Sequence, residues 1–284
     1  MSGLRDLIAA PHPDVAPLPP PAPPGVRVMR GVPYAELDGV RPLELDLWLP
    51  DAPGAPLVLF LHGGAWRRGR RDDMGMRTRA WSPGPFARLA AAGFAVACAD
   101  YRLSGEAAFP AQLDDVRAAL RWLALRSADL GIDPGRVVVW GESAGGHLAS
   151  LLALTSDEPR VAAAVVWYGP ADLSLSPGPP ESLLLGASPA TDSAKAREAS
   201  PVAHAHPGAP PFLLVHGEDD TLVPCAHSQA LAARLREAGA SADLRLVPSA
   251  DHGWHGVPDG DVESIFDASL RFALDAVRRL PPGH

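Results

Sequence analysis

Two cysteines in 284 residues leave no disulfide framework to hold the fold. Cys98 lies inside the strand-like run Phe94-Ala95-Val96-Ala97-Cys98-Ala99, and Cys225 follows Pro224 at a helix start, so one thiol reads as buried and one as half-buried. No apolar run approaches the length of a membrane span. The stretch Leu7-Ile8-Ala9-Ala10 is too short for a signal-peptide core, and a cytoplasmic location is the expectation. H-E-x-x-H and paired C-x-x-C patterns are missing. His204/His206 and His252/His255 each offer half a metal site without a convincing third ligand, so neither metal nor cofactor is expected. Excess positive charge is also lacking: the net charge of −8 argues against nucleic acid or an anionic membrane as partner. What is left is a globular composition, 47% hydrophobic and 20% charged, of a size that α/β folds bury in a single core.

Residues 11–24 contain eight prolines and read as an extended arm, with 1–30 as a proline-rich N-terminal segment. Strand-like segments follow at Val26–Tyr34 and Leu43–Leu49, then a fully apolar run, Pro56–Leu61, as expected for a strand buried on both faces. From there strands and helices alternate: helix Pro85–Ala92, strand Phe94–Asp100, helix Ala111–Leu130, strand Arg136–Trp140, helix Ser143–Leu154 and strand Val161–Tyr168. Strand Phe212–Val215, helix Ala226–Ala238, strand Ala242–Val247 and a last helix from Val262, with Ile265, Phe266, Leu270 and Leu274 inward, complete the series. Such alternation predicts an α/β fold: a mostly parallel, twisted sheet with helices on both faces. Residues 169–209 interrupt it. They are rich in Pro, Ser and Ala, carry one short helical patch at Ser182–Leu185, and are expected to form a small lid with the arm.

Gly141-Glu142-Ser143-Ala144-Gly145 matches G-x-S-x-G, with the β-branched run Arg136–Trp140 before it and a helix after it. A serine on such a turn is lifted above the sheet at a helix N-terminus, which makes Ser143 the candidate nucleophile. It needs a base, a group to orient that base, and donors for an oxyanion. Each is available after a predicted strand. His216-Gly217-Glu218-Asp219-Asp220 supplies the acid, Asp220 with Asp219 as alternative; Ser249-Ala250-Asp251-His252-Gly253-Trp254 supplies the base, His252 with His255 as alternative. The chain order Ser, Asp, His is that of α/β hydrolases. Expected oxyanion donors are the amides of Ala144 and of Gly64 and Ala65 in His62-Gly63-Gly64-Ala65-Trp66, Gly63 permitting the turn. His62 reads as a brace for that loop, His147 as a helix-packing residue and Glu142 as a polar rim residue near the histidine.

His62–Trp66, Asp100-Tyr101-Arg102-Leu103-Ser104, Phe109-Pro110-Ala111, Gly141–Gly146 and His216–Pro224 occur in order over about residues 32 to 256. In these pieces the chain resembles the α/β-hydrolase esterases of the hormone-sensitive-lipase and feruloyl-esterase-like (BD-FAE) groups. The resemblance implies a cofactor-free serine hydrolase of small carboxylic esters, and it selects Asp220 as the fifth residue of H-G-x-x-D. Two positions depart from the pattern. Ala65 stands at the fourth place of H-G-G-G, as in the H-G-G-x-W form shared with kynurenine formamidases, so an arylformamidase is the alternative reading. Thr221 stands where proline usually follows the acid. The cap helices of large lipases are missing, which argues against long-chain lipids. A non-catalytic receptor of the same fold would not need His252.

Overall fold

The computed structural model describes residues 22–156, 159–175 and 177–280. Among them, eight strands form one sheet: β1 (Val26–Ala35), β2 (Leu43–Pro50), β3 (Ala55–Leu61), β4 (Ala95–Ala99), β5 (Ile132–Glu142), β6 (Val161–Trp167), β7 (Phe212–Gly217) and β8 (Ala242–Val247). Their order is β1-β2-β4-β3-β5-β6-β7-β8. β1 and β2 pair antiparallel, β2 joins β4 antiparallel, and every later pairing is parallel. The helices are α1 (Pro85–Ala91), α2 (Ala111–Leu125), α3 (Ser127–Leu130), α4 (Ala144–Thr155), α5 (Pro179–Leu185), α6 (Ser193–Glu198), α7 (Ala226–Glu237) and α8 (Asp259–Arg278).

The period-two geometry of a strand divides its apolar run between two cores. Leu57, Leu59 and Leu61 of β3 with Val137 and Val139 of β5 pack against Leu113, Val116, Leu120 and Leu123 of α2 and the leucines of α4. Val58, Phe60, Val138 and Trp140 face the other way, onto Phe86 of α1 and Val262, Phe266 and Val277 of α8. α4 is buried from Ala144 through Leu154. Its sequence is accordingly apolar on all sides rather than striped. Each fully buried Leu there contributes about 1.5–3 kcal/mol, which anchors the helix that begins at the proposed nucleophile.

Several boundaries differ from the sequence expectation, for local reasons. The helix expected over Ala111–Leu130 breaks at Arg126, which leaves helical geometry, and α3 is closed by left-handed Gly131. β5 starts at Ile132; Pro134 falls in an irregularity where Asp133 pairs with Pro56 and the next pair is Val137 with Leu57. α8 starts at Asp259, and its buried line runs Val262, Phe266, Ser269, Ala273, Val277, with Ile265, Leu270 and Leu274 half-buried beside it. The strand expected from Val26 is β1, which overlaps the 1–30 bound given to the N-terminal arm; residues 1–21 of that arm lie outside the described residues.

The 169–209 segment has more structure than one helical patch. It holds α5, α6 and a 3-10 turn at Pro201–His204. α6 escaped the pattern because Ser-Ala-Lys-Ala-Arg-Glu shows no apolar periodicity; its start is set by Asp192, whose side chain accepts the Lys195 amide at 3.0 Å. Leu184 and Leu185 are wholly buried in the α2–α4 core, so only Leu183 of that apolar patch faces solvent.

Candidate active site

Ser143 sits between β5 and α4 with φ 52° and ψ −120°, a strained conformation for a non-glycine residue. Its amide donates to the Trp167 carbonyl at 2.9 Å and its carbonyl accepts from His147 N at 3.0 Å, so the turn is pinned on both sides. A Cβ on Gly145 would overlap the Leu61 carbonyl at the end of β3. Glycine at this place therefore lets the elbow seat against the neighbouring strand.

Three of the expected residues converge. His252 Nε2 lies 3.0 Å from Ser143 Oγ, and His252 Nδ1 lies 2.8 Å from Asp220 Oδ2. The other Asp220 oxygen accepts the amides of Leu222 at 2.9 Å and Val223 at 2.7 Å. His216, buried, brings Nε2 to 3.4 Å from Asp220 and bonds the Val223 carbonyl at 2.7 Å. Burial alone would raise the Asp220 carboxyl; the bonds from His216, His252 and the Val223 amide override it and hold the group well below the usual carboxylate range. An ionised Asp220 can only accept from His252 Nδ1–H, the tautomer that leaves Nε2 without a proton toward the serine. Of the two alternatives, Asp219 is exposed, with its amide on the Ala250 carbonyl, and the His255 carbonyl accepts the Asp251 amide.

The loops that carry Asp220 and His252 are clasped by Asp251. Its Oδ1 accepts the His252 amide at 2.7 Å and the Thr221 amide at 2.8 Å, and the Thr221 hydroxyl donates to it at 3.0 Å. Thr221 thus provides an N–H that a proline at that position would lack. The signal was in the sequence, as an Asp directly before the base, but the partner thirty positions away was not.

The loop after β3 runs left-handed through Gly64 (φ 112°), Ala65 (φ 56°) and Trp66 (φ 54°). His62 stacks on Tyr101 with ring centroids 4.4 Å apart, and the Tyr101 hydroxyl donates to the His62 carbonyl at 2.8 Å. Burial lowers the imidazole's pKa. Glu142 accepts the Gly63 amide at 2.6 Å and hydrogen-bonds the Tyr168 hydroxyl. Burial, then the nearby Asp73, pushes its carboxyl up to about 7, against the pull of His252. Tyr168 in turn sets its ring 4.7 Å from His252. Glu142 is therefore tied into the centre rather than lying at its rim. Among the described residues, no backbone or side-chain acceptor takes the amides of Gly64 and Ala65, and Ala144 opens α4, where an N–H has no partner within the helix. Trp66 and Trp254 are buried in the core and Trp81 packs edge-on to Phe266.

A serine on a strand–helix elbow, a histidine and an aspartate carried on the loops after β7 and β8, and a mostly parallel sheet with helices on both faces define an α/β-hydrolase. The chain belongs to the BD-FAE family, whose model matches residues 45–235. Esterase LipQ of Mycobacterium tuberculosis is 33% identical over 246 residues, 78% of this chain and 56% of LipQ. The chain spans about half the length of the curated relatives it matches. A truncated carbohydrate esterase from gut microbiota superposes with a TM-score of 0.77 at 26% identity, over 91% of this chain and 99% of that one. A propionate-bound esterase from Thermogutta terrifontis gives 0.68 at 25% identity, over 92% and 97%.

Proposed function

We propose that the protein is a carboxylesterase-type serine hydrolase acting on small esters through an acyl-enzyme. The observation that carries this reading is the unbroken line Ser143 Oγ, His252 Nε2 at 3.0 Å, and His252 Nδ1 to Asp220 at 2.8 Å. His252 takes the serine proton as Oγ attacks the ester carbonyl. Asp220 holds the imidazole in the required tautomer and stabilises its cation. The amides of Gly64, Ala65 and Ala144 receive the oxyanion; a main-chain donor makes Ala65 adequate where the resembled pattern has glycine. The alkoxide leaves with the proton from His252, and water activated by the same imidazole releases the acid. The esterase names of the relatives and neighbours support the reaction class. The propionate held by the Thermogutta enzyme supports short acyl groups.

Ser143→Ala tests the proposal. It should fold as the parent does and lose p-nitrophenyl acetate hydrolysis by several orders of magnitude. Incubation with a p-nitrophenyl phosphonate should add one phosphonyl group to the parent, seen by intact mass, and none to the variant. A variant that keeps a tenth of the rate sinks the mechanism. Faster turnover of N-formylkynurenine than of any p-nitrophenyl ester would favour the arylformamidase reading.

A further inference from the structure

The two loop amides proposed to receive the oxyanion, those of Gly64 and Ala65, lie between two anchors, each supplied by a flank of the nucleophile. Glu142, just before Ser143, holds the Gly63 amide. The far end of the loop is held from the other flank. Trp66 Nε1 donates to His147 Nδ1 at 3.2 Å, and the two rings meet edge to face at 5.0 Å. An indole nitrogen only donates, so Nδ1 is the acceptor and the ring proton is on Nε2. Nε2–H then donates to the Ala199 carbonyl at 2.6 Å, at the C-terminal end of α6 in the 169–209 segment. His147 is wholly buried, and burial lowers its pKa to about 4, which keeps the ring in this neutral form. One imidazole therefore joins three parts: the helix that carries Ser143, the left-handed loop that carries Gly64 and Ala65, and the segment that packs over them.

We propose that His147 is a positioning residue, fixing the Trp66 end of the oxyanion loop against the nucleophile helix and taking its own orientation from Ala199. The assignment rests on the reading of Gly64 and Ala65 as oxyanion donors. Its physical basis is the backbone of the loop. Three successive residues are left-handed, two of them with side chains, and such a run persists only where its surroundings over-determine it. The Trp66 carbonyl is held by the Ser104 amide at 2.7 Å, and its side chain by His147. Loss of the second hold frees the loop to relax, and an amide displaced by about 1 Å from a developing oxyanion loses much of its effect on the rate.

The two nitrogens are separable by substitution. In His147→Asn the amide oxygen falls near the place of Nδ1 and keeps an acceptor for Trp66. In His147→Gln the amide nitrogen reaches toward Ala199 and the acceptor for Trp66 is lost. Trp66→Phe deletes the indole N–H from the other side. With p-nitrophenyl acetate, His147→Gln and Trp66→Phe should each lower kcat about tenfold or more with KM within about threefold, whereas His147→Asn should stay within about threefold of the parent kcat. The double variant Trp66→Phe/His147→Gln should be no slower than the slower single, since both remove one bond. An Asn variant no better than the Gln variant, fully multiplicative losses in the double, or a loss confined to KM overturns the assignment. If His147→Gln does not fold, Trp66→Phe alone decides: a parental kcat there overturns it. Activity surviving in Ser143→Ala sinks the hydrolase reading itself, while an inactive Ser143→Ala beside a parental Trp66→Phe sinks this inference alone.

Discussion

Replacing Asp220 by Asn changes one atom and should cost about four orders of magnitude in rate, or roughly 5 kcal/mol of transition-state stabilisation. The geometry around the carboxyl explains why. Oδ1 accepts two amides, Leu222 and Val223, while Oδ2 accepts from His252 and faces His216 Nε2. Every neighbour is a donor. An Asn side chain has only one oxygen, so in either orientation its NH2 group meets N–H donors. With the oxygen kept on the two backbone amides, the NH2 faces His252 and forces Nδ1 to become the acceptor. The ring proton then sits on Nε2 and points at Ser143 Oγ, where a bare nitrogen is required. Asp219→Asn is the internal control: the side chain is exposed, and a change within about twofold is expected, as for surface substitutions. The assay is kcat/KM for p-nitrophenyl acetate at a pH on the plateau, with circular dichroism to show that both variants fold. A loss below tenfold in Asp220→Asn, or equal losses in the two variants, refutes the reasoning.

Asp251→Ala removes the clasp between the acid and base loops, and kcat should fall about tenfold with KM nearly unchanged; a parental kcat would show that the clasp is dispensable. Acid should destabilise the fold. His147 and His227 are both buried with pKa values near 4, and the His227 ring accepts the amides of Ala171 and Asp172, so between roughly pH 6.5 and 4 the unfolded chain binds their protons and the native state does not. Glu142, raised to about 7, works in the opposite sense between about 7 and 4.5, and the two histidines outweigh it, so stability should fall on going from neutral to pH 4; urea midpoints that rise on acidification would contradict this. Acyl chains of about two to six carbons should be preferred, because Leu184 and Leu185 are spent on the core and each further buried methylene would need apolar wall worth about 0.8 kcal/mol. A kcat/KM that keeps climbing beyond ten carbons refutes the small pocket. EDTA is expected to leave the rate unchanged, and a loss restored by zinc would refute a metal-free mechanism.

Much of this centre was legible one motif at a time. Gly141–Gly145 between an apolar strand and an apolar helix announces the elbow, because the backbone strain is local and glycine is the local remedy. The strand–helix alternation foretells the parallel sheet, and placing Asp220 and His252 after strands puts them at the sheet's C-terminal edge. Elements without periodicity were not legible: α6 has no repeating apolar face, and its start depends on the cap at Asp192. The bounds of α2 and β5 depended on Arg126 and Pro134, which carry weak or ambiguous signals on their own.

Amino-acid order by itself determined which residues have the chemistry to attack, accept a proton and orient the ring, since these follow from residue type and from the turn that each motif builds. Only the tertiary structure decided what those residues are held by. Asp220 rather than Asp219 faces inward because the strand end and the Leu222 and Val223 amides turn it so. Glu142 grips Gly63, Asp251 joins Thr221 to His252, and His147 bridges Trp66 to Ala199, across separations of 79, 30 and 81 to 52 positions. Hydrogen bonds of a few ångströms between segments so far apart leave no periodicity or spacing in the chain, because they arise only when the packed sheet brings the loops to one edge.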